Sequence, residues 1–247
     1  MDRSEKDKLV SAFFECANDE LRKKNRFTNQ NLDSVVDALL SENSNIIEIS
    51  EGIFKRARIY DKADRNIRYF NPPKSRFKGF NSKDSFVNKN GNEGRCNPKF
   101  IPYLYVADSV ECSIAEINPG IDSVVSVANI KTKEKLRIVS LSSGFATSNT
   151  KGNIIKDIPD CWVILHLQHL FSLPYKEDGD YLLTQYISEK IKSAGIDGIS
   201  FNSSKYAYEG TQGSRNHGVN YVIFNYDKCK PVSSKLYRVK SINMVIE

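Results

Sequence analysis

The stretch that most constrains this chain is Gly94–Ile117, GRCNPKFIPYLYVADSVECSIAEI. It reads as loop, strand, loop and helix. Gly94, Asn97 and Pro98 are turn formers, so Arg95 and Cys96 sit in a constrained loop. Tyr103, Leu104, Tyr105 and Val106 make a short aromatic and aliphatic run with strand character. Asp108 followed by Glu111 has the spacing of a capping box, with Asp in the place of Ser or Thr. The helix it predicts runs to about Glu116 and ends before Pro119 and Gly120. Glu116 lies among Ile114, Ala115 and Ile117, and a carboxylate in apolar company needs a partner or a task. A bland pairing with a basic residue satisfies that need as well as a chemical role does.

Around this block the pattern is of short strands interleaved with few helices. Residues 1–50 predict a helical N-terminal cap: Leu9, Val10, Phe13, Phe14 and Leu21 recur at helical spacing. Leu32, Val35, Val36, Leu39 and Leu40 form a second stripe over Asn31–Leu40. A partner-binding arm is the alternative for this segment. The main domain is expected over 51–247. Ile53–Tyr60 alternates as a strand and puts Arg56 and Arg58 on one face. That face is either functional or the polar face of an edge strand. Residues 61–93 read as a long polar loop in which Phe70, Phe77, Phe80 and Phe86 point to partial packing and 76–80 could approach a ligand.

Asp122–Ile130 and Lys135–Leu141, separated by the charged turn Lys131–Glu134, predict a hairpin. Residues 142–160 read as a loop. Cys161–Leu173 is the most apolar run, but at this length it is a buried helix rather than a membrane span. It carries His166 and His169, for which no further metal ligands are evident, so no metal site is assigned. Asp180–Ala194 is an amphipathic helix capped by Asp180 and closed by Gly195. A strand over Ile196–Ser204, a loop over 205–218 and a strand over Val219–Asn225 follow. The basic tail from Tyr226 contains a short run, Lys235–Ile242. The fold class expected is α/β of the α+β kind, with a mixed, mostly antiparallel sheet.

The chain's 247 residues are 40% hydrophobic, enough for a sizeable core. A formal charge of +6 favours anionic ligands without choosing between a pyrophosphate and a nucleic acid. The five scattered cysteines lack a CxxC pair, which argues against a disulfide framework or structural zinc and fits a reducing, cytoplasmic setting. The charged N-terminus lacks a secretory apolar region, and no run is long enough to span a membrane.

Three blocks resemble the RES family, named for Arg, Glu and Ser residues typical of its members. The family block GGRWNP, an aliphatic Tyr-Leu-Ala strand and a helix ending Ala-x-x-Glu or similar is matched by Gly94-Arg95-Cys96-Asn97-Pro98, Tyr105-Val106-Ala107 and Ile114-Ala115-Glu116. The Tyr-Arg opening is matched by Lys55-Arg56, with Arg58 as competitor. The later Gly-Ile strand and aliphatic strand are matched by Gly198-Ile199 through Ser203, and by Asn220 before Tyr221-Val222-Ile223-Phe224. The helix with Thr184-Gln185-Tyr186-Ile187 looks like a version found in longer members. The chain departs from the pattern at Lys55, Glu93, Cys96 and Asn202, where the family carries Tyr, Gly, Trp and Pro.

The resemblance implies a fold similar to ADP-ribosyltransferases and degradation of NAD, often as the toxin of a bacterial toxin–antitoxin pair. It implies catalytic roles for Glu116, Arg56 and Ser203, and NAD-binding roles for Arg95, Tyr105, Arg58 and Asn220. NAD enters as substrate, with no cofactor or metal. A cognate antitoxin and a homo-oligomer are the protein partners it allows, with no membrane. Two other readings stay open. One is transfer of ADP-ribose to a protein or nucleic acid. The other is a non-enzymatic basic nucleic-acid-binding module using residues 55–86, disfavoured because no nucleic-acid motif is present.

Overall fold

The protein is described from a computed structural model covering residues 2–41, 45–59, 92–142, 154–173, 181–209 and 215–242. The aromatics expected to pack in the 61–93 loop, and Asp180 as a helix cap, lie outside these residues. The first helix, α1 (Arg3–Lys23), starts at a complete capping box: Asp2 accepts from the Glu5 amide and Glu5 accepts from the Asp2 amide. It buries Val10, Phe14, Ala17 and Leu21 along one stripe, while Leu9 stays exposed. Helix α2 (Gln30–Ser41) buries Leu32, Val35, Val36 and Leu39. Both pack into one apolar core with α4 (Asp160–Ser172), α5 (Leu182–Ser193) and sheet residues such as Val139, Ile199 and Val222. The last part of the segment expected to be a helical cap is not helical. Ile46–Ile49 forms strand β1, since alternating Ile residues at 47 and 49 pack beneath the sheet.

The remaining elements are β2 (Ile53–Ile59), β3 (Leu104–Ala107), α3 (Val110–Glu116), β4 (Val124–Thr132), β5 (Leu136–Leu141), β6 (Gly198–Glu209), β7 (Arg215–Ile223) and β8 (Cys229–Arg238). The described strands form one 8-stranded sheet in the order β1-β5-β6-β7-β3-β2-β4-β8. Every pairing is antiparallel except β5 with β6. That parallel pair needs a long crossover, and α4 and α5 lie within it. The sheet is mixed and mostly antiparallel, as expected.

β4 and β5 are not a hairpin. Three residues separate them, yet they stand near opposite ends of the strand order. This requires the sheet to curl until its ends approach. Phe54, Ala128 and Ile130 from one end and Leu136 and Ile138 from the other share a single apolar cluster with Leu104 and Ile223. β4 is buried on both faces, because Val125 and Val127 pack instead with Val110, Ile114 and Ile117 of the α3 region. Its two edges are taken by β2 and β8. A charged tight turn looks the same in sequence whether the chain folds back or rounds a corner.

Two further differences matter for the site. Residues 205–209 and 215–218, expected as loop, extend β6 and β7, which pair again at Ala207 with His217 after an irregularity at 202–207. The cap of α3 is Ser109, which accepts from the Cys112 amide at 3.2 Å, rather than Asp108. Asp108 accepts instead from the Val219 amide at 3.0 Å. Among the described residues no helix is long and apolar enough to cross a membrane, and all five cysteines are free.

Candidate active site

β2 and β3 are paired at one position only, Lys55 with Ala107. Beyond it the two strands part, and a cavity of 460 Å³ opens there. The size suits a small-molecule ligand. Arg56, Arg95, Tyr105, Glu116 and Asn220 all line it, although the sequence spreads them across β2, the 94–98 loop, β3, α3 and β7. Ser203 stands behind Glu116, at 1% exposure. Arg58 does not line the cavity, so of the two competing arginines the geometry brings in Arg56.

Glu116 ends α3, and its carboxylate turns toward β6 and β7. Ser203 Oγ donates to Glu116 Oε1 at 2.6 Å and Asn220 Nδ2 donates to the same oxygen at 2.7 Å. Among the described residues nothing donates to Oε2, which keeps its lone pairs for a ligand. Ser203 is itself fixed, since its hydroxyl accepts from the amides of Lys205 at 3.1 Å and Tyr206 at 3.0 Å. These bonds occupy the irregular stretch of β6, where ladder bonding lapses. Lys205 Nζ donates to the Glu116 carbonyl at 2.8 Å, which places a further cation at the cavity wall.

Arg56 crosses the gap between the parted strands. Its Nη1 donates to the Tyr105 carbonyl at 2.7 Å, while its buried Nε has no hydrogen-bond partner. Burial, aided by the nearby positive charge of Arg58, lowers its pKa from 12.5 to about 10, so it remains a cation at neutral pH. Arg95 donates through Nη2 to the Leu173 carbonyl, and its guanidinium lies 5.3 Å over the Phe201 ring. A cation held by one carbonyl and one aromatic face keeps donors for an anionic ligand.

Tyr105 does more than present a ring. Its hydroxyl donates to Asn97 Oδ1 at 2.7 Å and accepts from the Cys96 amide at 3.0 Å, clamping the loop that carries Arg95. Burial pushes its phenol well above the usual range, so it stays protonated. Gly94 is required by this packing: a Cβ there would lie 2.6 Å from both Asn97 Oδ1 and the Tyr105 hydroxyl. Cys96 is fully buried in the main core and does not line the cavity. Burial raises its thiol to about 12, which keeps it neutral. Of the α4 histidines, His166 packs, stacking on Phe14 at 5.2 Å, and His169 is exposed. Among the described residues no group of three or more potential metal ligands occurs.

Thr184 and Gln185, not singled out as site residues by the sequence, bond to the 93–97 loop from α5. Buried polar side chains on an otherwise amphipathic helix are the signal that could have found them.

The profile of the RES domain matches residues 65–241, most of the chain. The chain belongs to the RES domain family. The match takes in Arg95, Tyr105, Glu116, Ser203 and Asn220. Arg56 and Arg58 precede it, so Arg56 is brought to the cavity by the geometry alone. No sequence among curated proteins matches the chain. A chain from the crystal structure of the M. tuberculosis MbcT–MbcA toxin–antitoxin complex is similar at 13% identity, with a TM-score of 0.46, over 86% of this chain and 93% of that one.

Proposed function

We propose that this RES protein cleaves the bond between nicotinamide and ribose in NAD. The observation that carries the reading is the Glu116 carboxylate, fixed through Oε1 by Ser203 and Asn220 and lining the same cavity as Arg95 and Arg56. Nicotinamide in NAD is a cationic leaving group. When its bond to C1 of the ribose breaks, the electron pair goes to the ring nitrogen and neutral nicotinamide departs. No proton need be supplied to it. The ribose becomes oxocarbenium-like, as in other glycosyl transfers. A carboxylate aimed at that position stabilises the developing positive charge, and its fixed hydrogen bonds spare it reorganisation.

The other residues bind and orient. Arg95 and Arg56 match phosphate oxygens of the pyrophosphate with guanidinium donors. Tyr105 contributes a ring to the wall beside the nicotinamide ribose, and Asn220 and Ser203 orient Glu116. An oxygen of water, phosphate or a macromolecular acceptor then forms the new bond to C1, and the proton carried by a water or hydroxyl oxygen is released to solvent. As a RES family member the protein is further proposed to act as a toxin that depletes NAD, held in check by a cognate antitoxin.

The test is incubation of the purified protein with NAD, following free nicotinamide and the fate of the ADP-ribose. Nicotinamide with free ADP-ribose or its phosphate supports this reading. ADP-ribose attached to protein or nucleic acid moves it to transferase. Intact NAD together with salt-dependent RNA binding replaces it with the binding-module reading.

A further inference from the structure

Helix α5 is anchored in the main core by Ile187 and Ile191, both fully buried. Next to this apolar stripe it carries Thr184 and Gln185, at 5% and 7% exposure. Polar groups so enclosed require partners, and these two find theirs on one loop. Thr184 Oγ1 lies 2.7 Å from the Arg95 carbonyl and 3.1 Å from the carbonyl of Tyr181, the residue before its helix. Gln185 Nε2 lies 2.9 Å from the Gly94 carbonyl, 3.0 Å from the Asn97 carbonyl and 3.0 Å from Glu93 Oε1.

The loop is a tight unit. The Gly94 amide donates to the Asn97 carbonyl at 3.0 Å and the Asn97 amide returns to the Gly94 carbonyl at 3.3 Å. Its carbonyls are therefore tied to α5, while the Tyr105 hydroxyl grips its Cys96 amide and Asn97 side chain from the strand side. The backbone that carries Arg95 is fixed from both directions by elements of the sheet and core. Glu93, where the family carries Gly, adds a side-chain acceptor to the same amide group.

We infer that Thr184 and Gln185 are positioning residues that set Arg95 for the pyrophosphate of NAD, an inference that rests on the function proposed above. Neither side chain needs to touch the substrate. Preorganising the loop removes an ordering cost from binding. Because the arginine holds ground state and transition state alike, loss of its placement appears in KM more than in kcat.

Three variants test this. Thr184→Val keeps shape and removes the hydroxyl, Thr184→Ser restores it, and Gln185→Met removes the amide donors at similar volume. KM for NAD is expected to rise about tenfold in Thr184→Val and Gln185→Met, the scale of one lost buried hydrogen bond. Turnover is expected to stay within about threefold of the parent and Thr184→Ser to match it. Amide hydrogen exchange, read on the same proteins without NAD, is expected to quicken at residues 94–97 and to stay unchanged in β4 and β7. A lowered melting temperature with both KM and loop exchange unchanged would mean a merely structural role and overturn the inference. A fall in turnover at unchanged KM would overturn it too. A parent protein that leaves NAD intact refutes the proposed function instead, and unchanged loop exchange in the variants then rejects the positioning role on its own.

Discussion

Arg56 should stabilise the ligand complex at the expense of the empty protein, and Arg56→Met separates the two effects. Arg56 is partly buried, its Nε is buried and unpartnered, and Arg58 adds repulsion. The pKa drop from 12.5 to about 10 corresponds to a cost of roughly 3 kcal/mol for holding the charge in the folded state. The sign follows from linkage: the unfolded chain keeps this proton to higher pH, so the cost is full below about pH 10 and fades as pH rises toward 12.5. Substitution removes the cost along with the charge-assisted bond to the Tyr105 carbonyl, worth about 1.5–3 kcal/mol. Methionine keeps most of the apolar stem. The variant should therefore be no less stable than the parent, with a gain of up to about 1.5 kcal/mol and a rise in Tm of up to roughly 6 °C for a chain of this size. Urea unfolding without NAD measures the gain. Calorimetric titration with NAD, done in a Glu116→Gln background so that the ligand survives, measures the loss of affinity. A variant that is less stable by more than about 1 kcal/mol, or that binds NAD as the parent does, refutes the reasoning.

Ser203→Ala removes the shortest bond to Glu116 and leaves two amides of β6 without their acceptor. Turnover of NAD should fall about 10- to 100-fold, the scale of a hydrogen bond to a charged group, with KM little changed. Stability should fall only by about 1–2 kcal/mol, because Lys205 is exposed and its amide can meet water. Gly94→Ala forces a methyl against Asn97 and the Tyr105 hydroxyl. It should cost about 1–3 kcal/mol in urea unfolding and raise KM by displacing Arg95.

The legible part of the site lay where residue type and local structure coincide. The Gly94–Glu116 block specifies its own turn, strand and helix, so Arg95, Tyr105 and Glu116 could be placed from neighbours in sequence. Ser203 and Asn220 were legible only through family resemblance, since their meeting at one Glu116 oxygen depends on β6–β7 pairing. The curl of the sheet was not legible. Thr132 to Leu136 carries hairpin chemistry, and only the distant β2 and β8 partners decide otherwise. The four residues of edge strand β1 carry too little periodicity to set it apart from the helices before it. Thr184 and Gln185 face a loop about ninety residues earlier in sequence, a distance over which spacing says nothing.

The most direct measurement is nicotinamide release from NAD by the parent protein and by Glu116→Gln at equal concentration, with NAD binding to each measured alongside. Gln keeps the shape and can still accept from Ser203 and Asn220, but it lacks the negative charge. The account predicts release by the parent, matched mole for mole by NAD loss. It predicts a fall of about 10²–10³-fold or more in Glu116→Gln, with NAD affinity within a few-fold of the parent. A Glu116→Gln protein that releases nicotinamide at the parent rate, or a parent that leaves NAD intact, would contradict it.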